Sequence, residues 1–157
     1  MALPEISKEK NFKISMRKYL YTNANLYSPP ISLLFDTGME VPINEDSPSP
    51  SWMTINFGTF IVGTLNEAMV DIYCCARNDT SSDVVSDLRD LLVEWFTDSS
   101  QFDSARRIPI YINLNTAEEE IVGWMVASIA YQSPLMLATD GTKYKLVTIQ
   151  LKWSSQY

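Results

Sequence analysis

The chain predicts an α+β domain: an antiparallel or mixed β-sheet built from two hairpins, with a long amphipathic helix packed on it and a second helix at the amino end. Three observations carry this prediction. Every even position over 68–76 is apolar, and apolar residues alternate with polar ones over 147–153, the pattern of strands with one buried face. Val84, Val85, Leu88, Leu91, Leu92, Trp95 and Phe96 recur at helical spacing between them. The order of elements is helix, strand and hairpin, long helix, second hairpin, which describes a sheet with helices laid on it. At 157 residues, 46% of them apolar, the chain has material for one core, so a single domain over 1–157 is expected.

In residues 7–22, Phe12, Met16 and Leu20 fall four apart with Tyr19 alongside, which makes one apolar stripe of a helix flanked by lysines. "YSPP" (27–30) stops it, and "ISLLF" (31–35) leads as a short strand to Gly38. The tract "NEDSPSPS" (44–51) is read as a surface loop, since its prolines cannot hold a ladder. Its acids Glu45 and Asp46 are candidates for a partner contact.

Met53, Ile55 and Phe57 then alternate with Thr54 and Asn56, "FIVGTL" continues in β-rich residues, and Asn66 and Glu67 mark a turn into the strand Ala68–Ala76. Ala68, Val70, Ile72, Cys74 and Ala76 give that strand a fully apolar face, which the following helix is expected to cover. Thr80, Ser81 and Ser82 offer N-caps, and Asp83 and Asp87 suit the positive end of the helix dipole. "RRIPIYINL" (106–114) reads as an extended piece at a sheet edge because of Pro109. Thr116 and Glu119 stand at capping-box spacing, but Gly123 and the β-branched residues of "IVGWMVASIAY" favour a strand, with Met125, Ala127, Ile129 and Tyr131 on one side. "DG" at 140–141 signals a two-residue hairpin into the last strand, where Val147, Ile149, Leu151 and Trp153 alternate with polar residues.

The absence of histidine excludes Ser-His-Asp and Cys-His nucleophiles and the common zinc-hydrolase ligand sets. Cys74 and Cys75 are adjacent, so on a strand they point to opposite faces; with no second pair and no histidine, they read as unpaired structural thiols of a reducing compartment. Asp83, Asp87, Asp90 and Glu94 share one helix face, which cannot by itself form the opposed carboxylates of a hydrolase. Glu118, Glu119 and Glu120 read as a solvated run, and Arg106 with Arg107 as a candidate for an intersubunit ion pair. A carboxylate enzyme using Asp71, or Asp140 beside Tyr144, is the remaining catalytic alternative. No Gly-rich phosphate loop and no other cofactor motif is present, so no cofactor, metal site or catalytic set is expected.

The formal charge is −7, split into +3 over residues 1–30 and −10 over the rest. An acidic body disfavours wrapping duplex DNA, although it would let DNA slide past without sticking. There is no signal-peptide core and no run of membrane-spanning length, which predicts a soluble chain with no membrane partner, made in a cytoplasm. Four tryptophans, eight tyrosines and six phenylalanines are ample for one core and leave aromatic residues for an interface.

The stretches "PSWMTINFG" (50–58), "VDIYCCARNDTSSDVVSDLRDLLVEWF" (70–96) and "MVASIAYQSPLMLATDGTKYKLVTIQLKWSS" (125–155), with the order of elements and the length, resemble the tail terminator (tail completion) proteins of long-tailed siphophages, the T5-like phages among them. These are patterns of packing. The resemblance implies a virion protein, not an enzyme, that forms a hexameric ring at the head-proximal end of the tail. Such a ring ends polymerisation of the tail tube and joins it to the head. Its implied partners are other copies of itself, the tail tube protein and a head-completion or connector protein, with DNA passing through unbound. A head-closure or neck protein of the same particle is the nearest alternative, and a small cytoplasmic peptide-binding module is a third.

Overall fold

A computed structural model describes residues 2–38 and 50–155. Glu45 and Asp46, and with them most of the predicted loop 44–51, lie outside the described residues, while Ser51 already belongs to a strand. A 3-10 turn at Glu5–Ser7 leads into α1 (Glu9–Ala24), followed by β1 (Ser32–Phe35), β2 (Ser51–Ile61), β3 (Leu65–Ala76), α2 (Asp83–Trp95), β4 (Arg106–Ile112), β5 (Glu120–Gln132), β6 (Met136–Leu137) and β7 (Lys143–Ser154). The fold is α+β, as the residue pattern predicts.

The strands form one sheet in the order β1-β2-β3-β7-β5-β4, with β6 beside β7 where β5 leaves off. All pairings are antiparallel except β1 with β2. Both edges of this sheet meet α1. On the β4 side the Tyr111 N–H donates to Ser15 Oγ at 2.8 Å; on the β1 side the Tyr21 and Phe35 rings lie 5.5 Å apart. The sheet therefore curls until its two edges face the same helix. Inside the curl lie the apolar stripe Phe12, Met16, Leu20 and Ala24, the even residues of β3 from Ala68 to Cys74, and Val147, Ile149, Leu151 and Trp153 of β7. α2 closes the same side over β3 and β7 with Leu88, Leu92 and Trp95, and Tyr19 of α1 donates its hydroxyl to the Trp95 carbonyl.

Bulges decide which residues reach this core. In β2 a register shift between Phe57 and Phe60 breaks the alternation, so that both rings pack on Phe12, which also stacks on Trp153 at 5.5 Å. Gly58 sits in that bulge, where a Cβ would come within 3.1 Å of the Met69 carbonyl oxygen. In β5 a shift between Ile129 and Tyr131 has the opposite effect. Met125, Ala127 and Ile129 face the core as expected, but Tyr131 lies opposite Thr148 on the outer face and is exposed.

Two local readings need correction, and the choice between helix and strand after Thr116 falls to the strand. The cap of α2 is supplied by Asp79, whose carboxylate accepts the Val84 N–H at 3.4 Å and the Val85 N–H at 3.1 Å. Ser82, just before the helix, has φ 65° and makes no side-chain cap; its Oγ instead accepts from the Lys143 ammonium at 3.0 Å, which also donates to the Asp79 and Thr80 carbonyls. Thr116 closes a turn on the Asn113 carbonyl at 2.6 Å and opens no helix, so the strand reading of 120–132 holds. The Asp140–Gly141 signal does mark a reversal, with Gly141 at φ 87°, but the turn is longer than two residues: the Ala138 N–H donates to the Thr142 carbonyl at 2.8 Å.

The amino end is pinned to the far strands. The Trp153 indole donates to the Ile6 carbonyl at 2.8 Å, and Asn66 Nδ2 donates to Ser7 Oγ at 2.9 Å. The Ile6 side chain packs where Gly123 leaves room, since a Cβ there would stand 2.4 Å from Ile6 Cδ1.

Two outcomes are expected in denaturant titrations. Asp79→Ala should cost about 1–2 kcal/mol, as loss of an N-cap does, while Ser82→Ala should cost less. Gly123→Ala should cost about 1–3 kcal/mol by overpacking, and in an Ile6→Ala background the same change should cost markedly less, because the two residues share one space.

Candidate functional site

The acidic groups singled out in the sequence stay apart. Asp71 accepts from Thr148 Oγ1 at 2.7 Å on the outer sheet face. Asp140 lies in the 138–142 turn, where the backbone N–H and hydroxyl of Thr142, and then the guanidinium of Arg77 at 2.6 Å, hold its carboxyl below the usual range. Five strand positions, about 16 Å, separate Thr148 from Lys143 at that turn, so these carboxylates do not share a cleft. Tyr144 packs edge-on against Tyr73, whose hydroxyl is raised above its ordinary value first by burial and then by Asp71. Glu119 pairs with Lys18 at 3.4 Å across the gap between β5 and α1. Among the described residues, no three Cys, Asp or Glu side chains gather as metal ligands would.

Cys74 and Cys75 do face opposite sides of β3, and both are free thiols. Cys75 nevertheless is as buried as Cys74, flanked by its cross-strand neighbours Trp52 and Tyr144. Burial pushes both thiols up, Cys75 to about 12. Neither is poised as a nucleophile, which requires thiolate character.

A groove of about 590 Å³ lies between α1, the end of α2 and β4, lined by Tyr19, Tyr27, Trp95 and Tyr111 with Lys18 and Arg106. Arg106 is engaged within the chain: its Nη2 donates to the carbonyls of Thr97 at 2.6 Å and Glu94 at 3.3 Å, where the α2 dipole leaves negative partial charge. Arg107 points to the other side of β4 and is exposed, with one hydrogen bond of 3.3 Å to Gln101. The β4 edge is not open to another strand. Pro109 has no N–H to offer, and the Tyr111 N–H is taken by Ser15.

The outer face of the sheet carries two apolar patches. At one end stand Ile61, Val62 and Leu65 of the β2–β3 hairpin, with Trp124 (55% exposed) on β5. At the other stand Tyr131, opposite Thr148, and Met136, opposite Tyr144, both exposed, with the exposed Leu135 and Leu137 beside them, Leu137 turned to the helix side as the partner of Lys143. Leu65 lies opposite Ser154 and Met136 opposite Tyr144, so the patches are ten positions apart along β7, about 33 Å. Between them two bonded polar pairs, Thr148 to Asp71 and Gln150 to Glu67, are interspersed with the half-buried Met69, Tyr73 and Leu146. No helix among the described residues is long and apolar enough to cross a membrane.

Sequence reasoning missed these patches because bulges and hairpin ends, not alternation, bring their residues outside. The one available signal was the surplus of aromatic residues.

No protein-family model and no curated protein matches the chain. A solved structure known only by a sequence identifier is similar in fold, with a TM-score of 0.59 over 92% of this chain and 94% of that one at 7% identity. At that identity the likeness speaks for the fold alone.

The buried thiols lead to a measurable outcome. At pH 8 the folded protein should react with a thiol reagent at neither cysteine, and at both once unfolded. Because the folded thiols titrate above their unfolded values, their contribution is complete below about pH 8.5 and is lost as pH rises toward the folded pKa, so the denaturation midpoint should fall in alkaline solution.

Proposed function

We propose that the chain is a structural subunit of a phage virion: a tail terminator that assembles as a ring on the head-proximal end of the tail tube, ends its growth and presents a second surface to the head-side connector. The observation that carries this reading is the pair of exposed apolar patches at opposite ends of the outer sheet face. A joint must hold two different partners at once, one on each side, and exposed apolar side chains at two separated places are what such a part requires. The pattern likeness of residues 50–58, 70–96 and 125–155 to tail terminators supports the same reading. So does the acidic body, which repels a polyanion passing through a ring. On this reading the protein has no reaction to catalyse, and its partners are its own copies, the tube protein and the connector.

The direct test is electron microscopy of the purified chain mixed with tail tubes, together with a phage lacking the gene. Particles should sit at one end of each tube, and the deletion should give tubes of irregular length that fail to join heads. A protein that stays off tubes, with a deletion phage whose tubes have normal length and join heads, would refute the proposal. Leu65→Asp and Met136→Asp, placed in the two patches, should each abolish one joint and spare the other. Locating the protein on the connector side alone would favour the head-closure reading.

A further inference from the structure

The two helices carry opposite charge along stripes of equal length. On α1, Lys10, Ile14, Arg17 and Tyr21 follow at steps of four, three and four residues, with Lys13 beside them, and all are at least partly exposed. On α2, Asp83, Asp87, Asp90 and Glu94 follow at the same steps, all exposed, with Val84 and Leu91 beside them. Each stripe runs about 16 Å. The charges are largely unspent within the chain: among the described residues Lys10, Arg17, Asp83, Asp87 and Glu94 make no ion pair, Lys13 pairs only with its helical neighbour Glu9 at 3.1 Å, and Asp90 with the adjacent Arg89 at 2.6 Å. Arg17 is held in place by the Phe35 and Phe57 rings at 5.7 and 5.5 Å, which limits the entropy it would lose on docking.

We propose that the basic α1 stripe of one copy docks along the acidic α2 stripe of the next. Like stripes repel, so only this crossed arrangement of two copies is attractive, and the apolar residues beside each stripe give it a dry centre. Since each copy offers one stripe to each of two neighbours, the contact is heterologous and closes into a ring if the rotation per step permits. The inference deepens the ring reading above and rests on it.

Sedimentation at low and high salt tests it with three variants: Lys10→Glu, Lys13→Glu and Arg17→Glu together; Asp87→Lys, Asp90→Lys and Glu94→Lys together; and the chain carrying all six changes. The native chain should form species larger than a dimer at low salt. Either triple variant alone should lose affinity by about 100-fold, and an equimolar mixture of the two, or the sixfold variant, should recover it. Recovery also shows that the variants are folded.

Unchanged assembly of both triple variants, failure of the mixture and the sixfold variant to recover, or species that stop at a dimer would each overturn the proposal. So would a native chain that stays monomeric at millimolar concentration and low salt. If such a chain still caps tail tubes, the terminator reading survives and only this contact is lost; if it assembles as expected yet ignores tubes, the reverse holds.

Discussion

The structure depends on α1 lying in the gap between the two edges of the curled sheet. A sheet edge is a row of unpaired backbone groups, and a curled sheet whose edges do not meet has two of them facing each other. α1 serves both: Ser15 accepts from β4, and the Tyr21 and Arg17 side chains cover Phe35 of β1. The same helix fills the interior with Phe12, Met16 and Leu20, each fully buried and stabilising by about 1.5–3 kcal/mol. The turn before α1 is fastened in turn by the Trp153 indole and by Asn66. Edge protection, core filling and closure of the curl therefore depend on one segment, and the rest of the fold is arranged around it.

What could be read in advance from the residues follows from this arrangement. Strands β3 and β7 stand in the middle of the sheet with one face on the helices, so their alternation is unbroken and legible to the residue. α2 is legible because a single stripe meets the sheet. β2 and β5 are less so, since a bulge moves Phe60 inward and Tyr131 outward, and nothing in local composition besides Gly58 marks where alternation will slip. The start of α2 misleads for a different reason. Three hydroxyls precede it, but the strand leaving the sheet carries Asp79 back over the helix end, while Lys143, 64 positions away from it, organises the carbonyls of the corner.

The candidate site was less legible than the fold. The chemistry-bearing groups that attract attention in the linear chain separate once the strands are paired: Cys74 from Cys75 across β3, Asp71 from Asp140 along β7, and Arg106 from Arg107 across β4. Arg106 is spent on the end of α2, while its neighbour remains outside. Conversely, residues that mean little singly gain meaning by position. Leu65 and Met136 belong to strands that lie on either side of β7, and only pairing shows that they mark opposite ends of one face. The uneven charge of the chain was countable, but that it falls into two stripes of matching length is a property of the folded helices.

Pro109 and the Ser15–Tyr111 bond have a consequence for behaviour in a crowded solution. A sheet that ends in an open strand invites copies to stack edge on edge without limit, which is the route to fibres and precipitates. On the β4 side that route is blocked by a residue that lacks a hydrogen-bond donor and by a helix hydroxyl that occupies the next one. Any contact made on that side must run through side chains, which differ from place to place and so permit one orientation, where a backbone ladder would permit many. For a chain that associates with its own copies, this separates association that stops at a set number from association that does not.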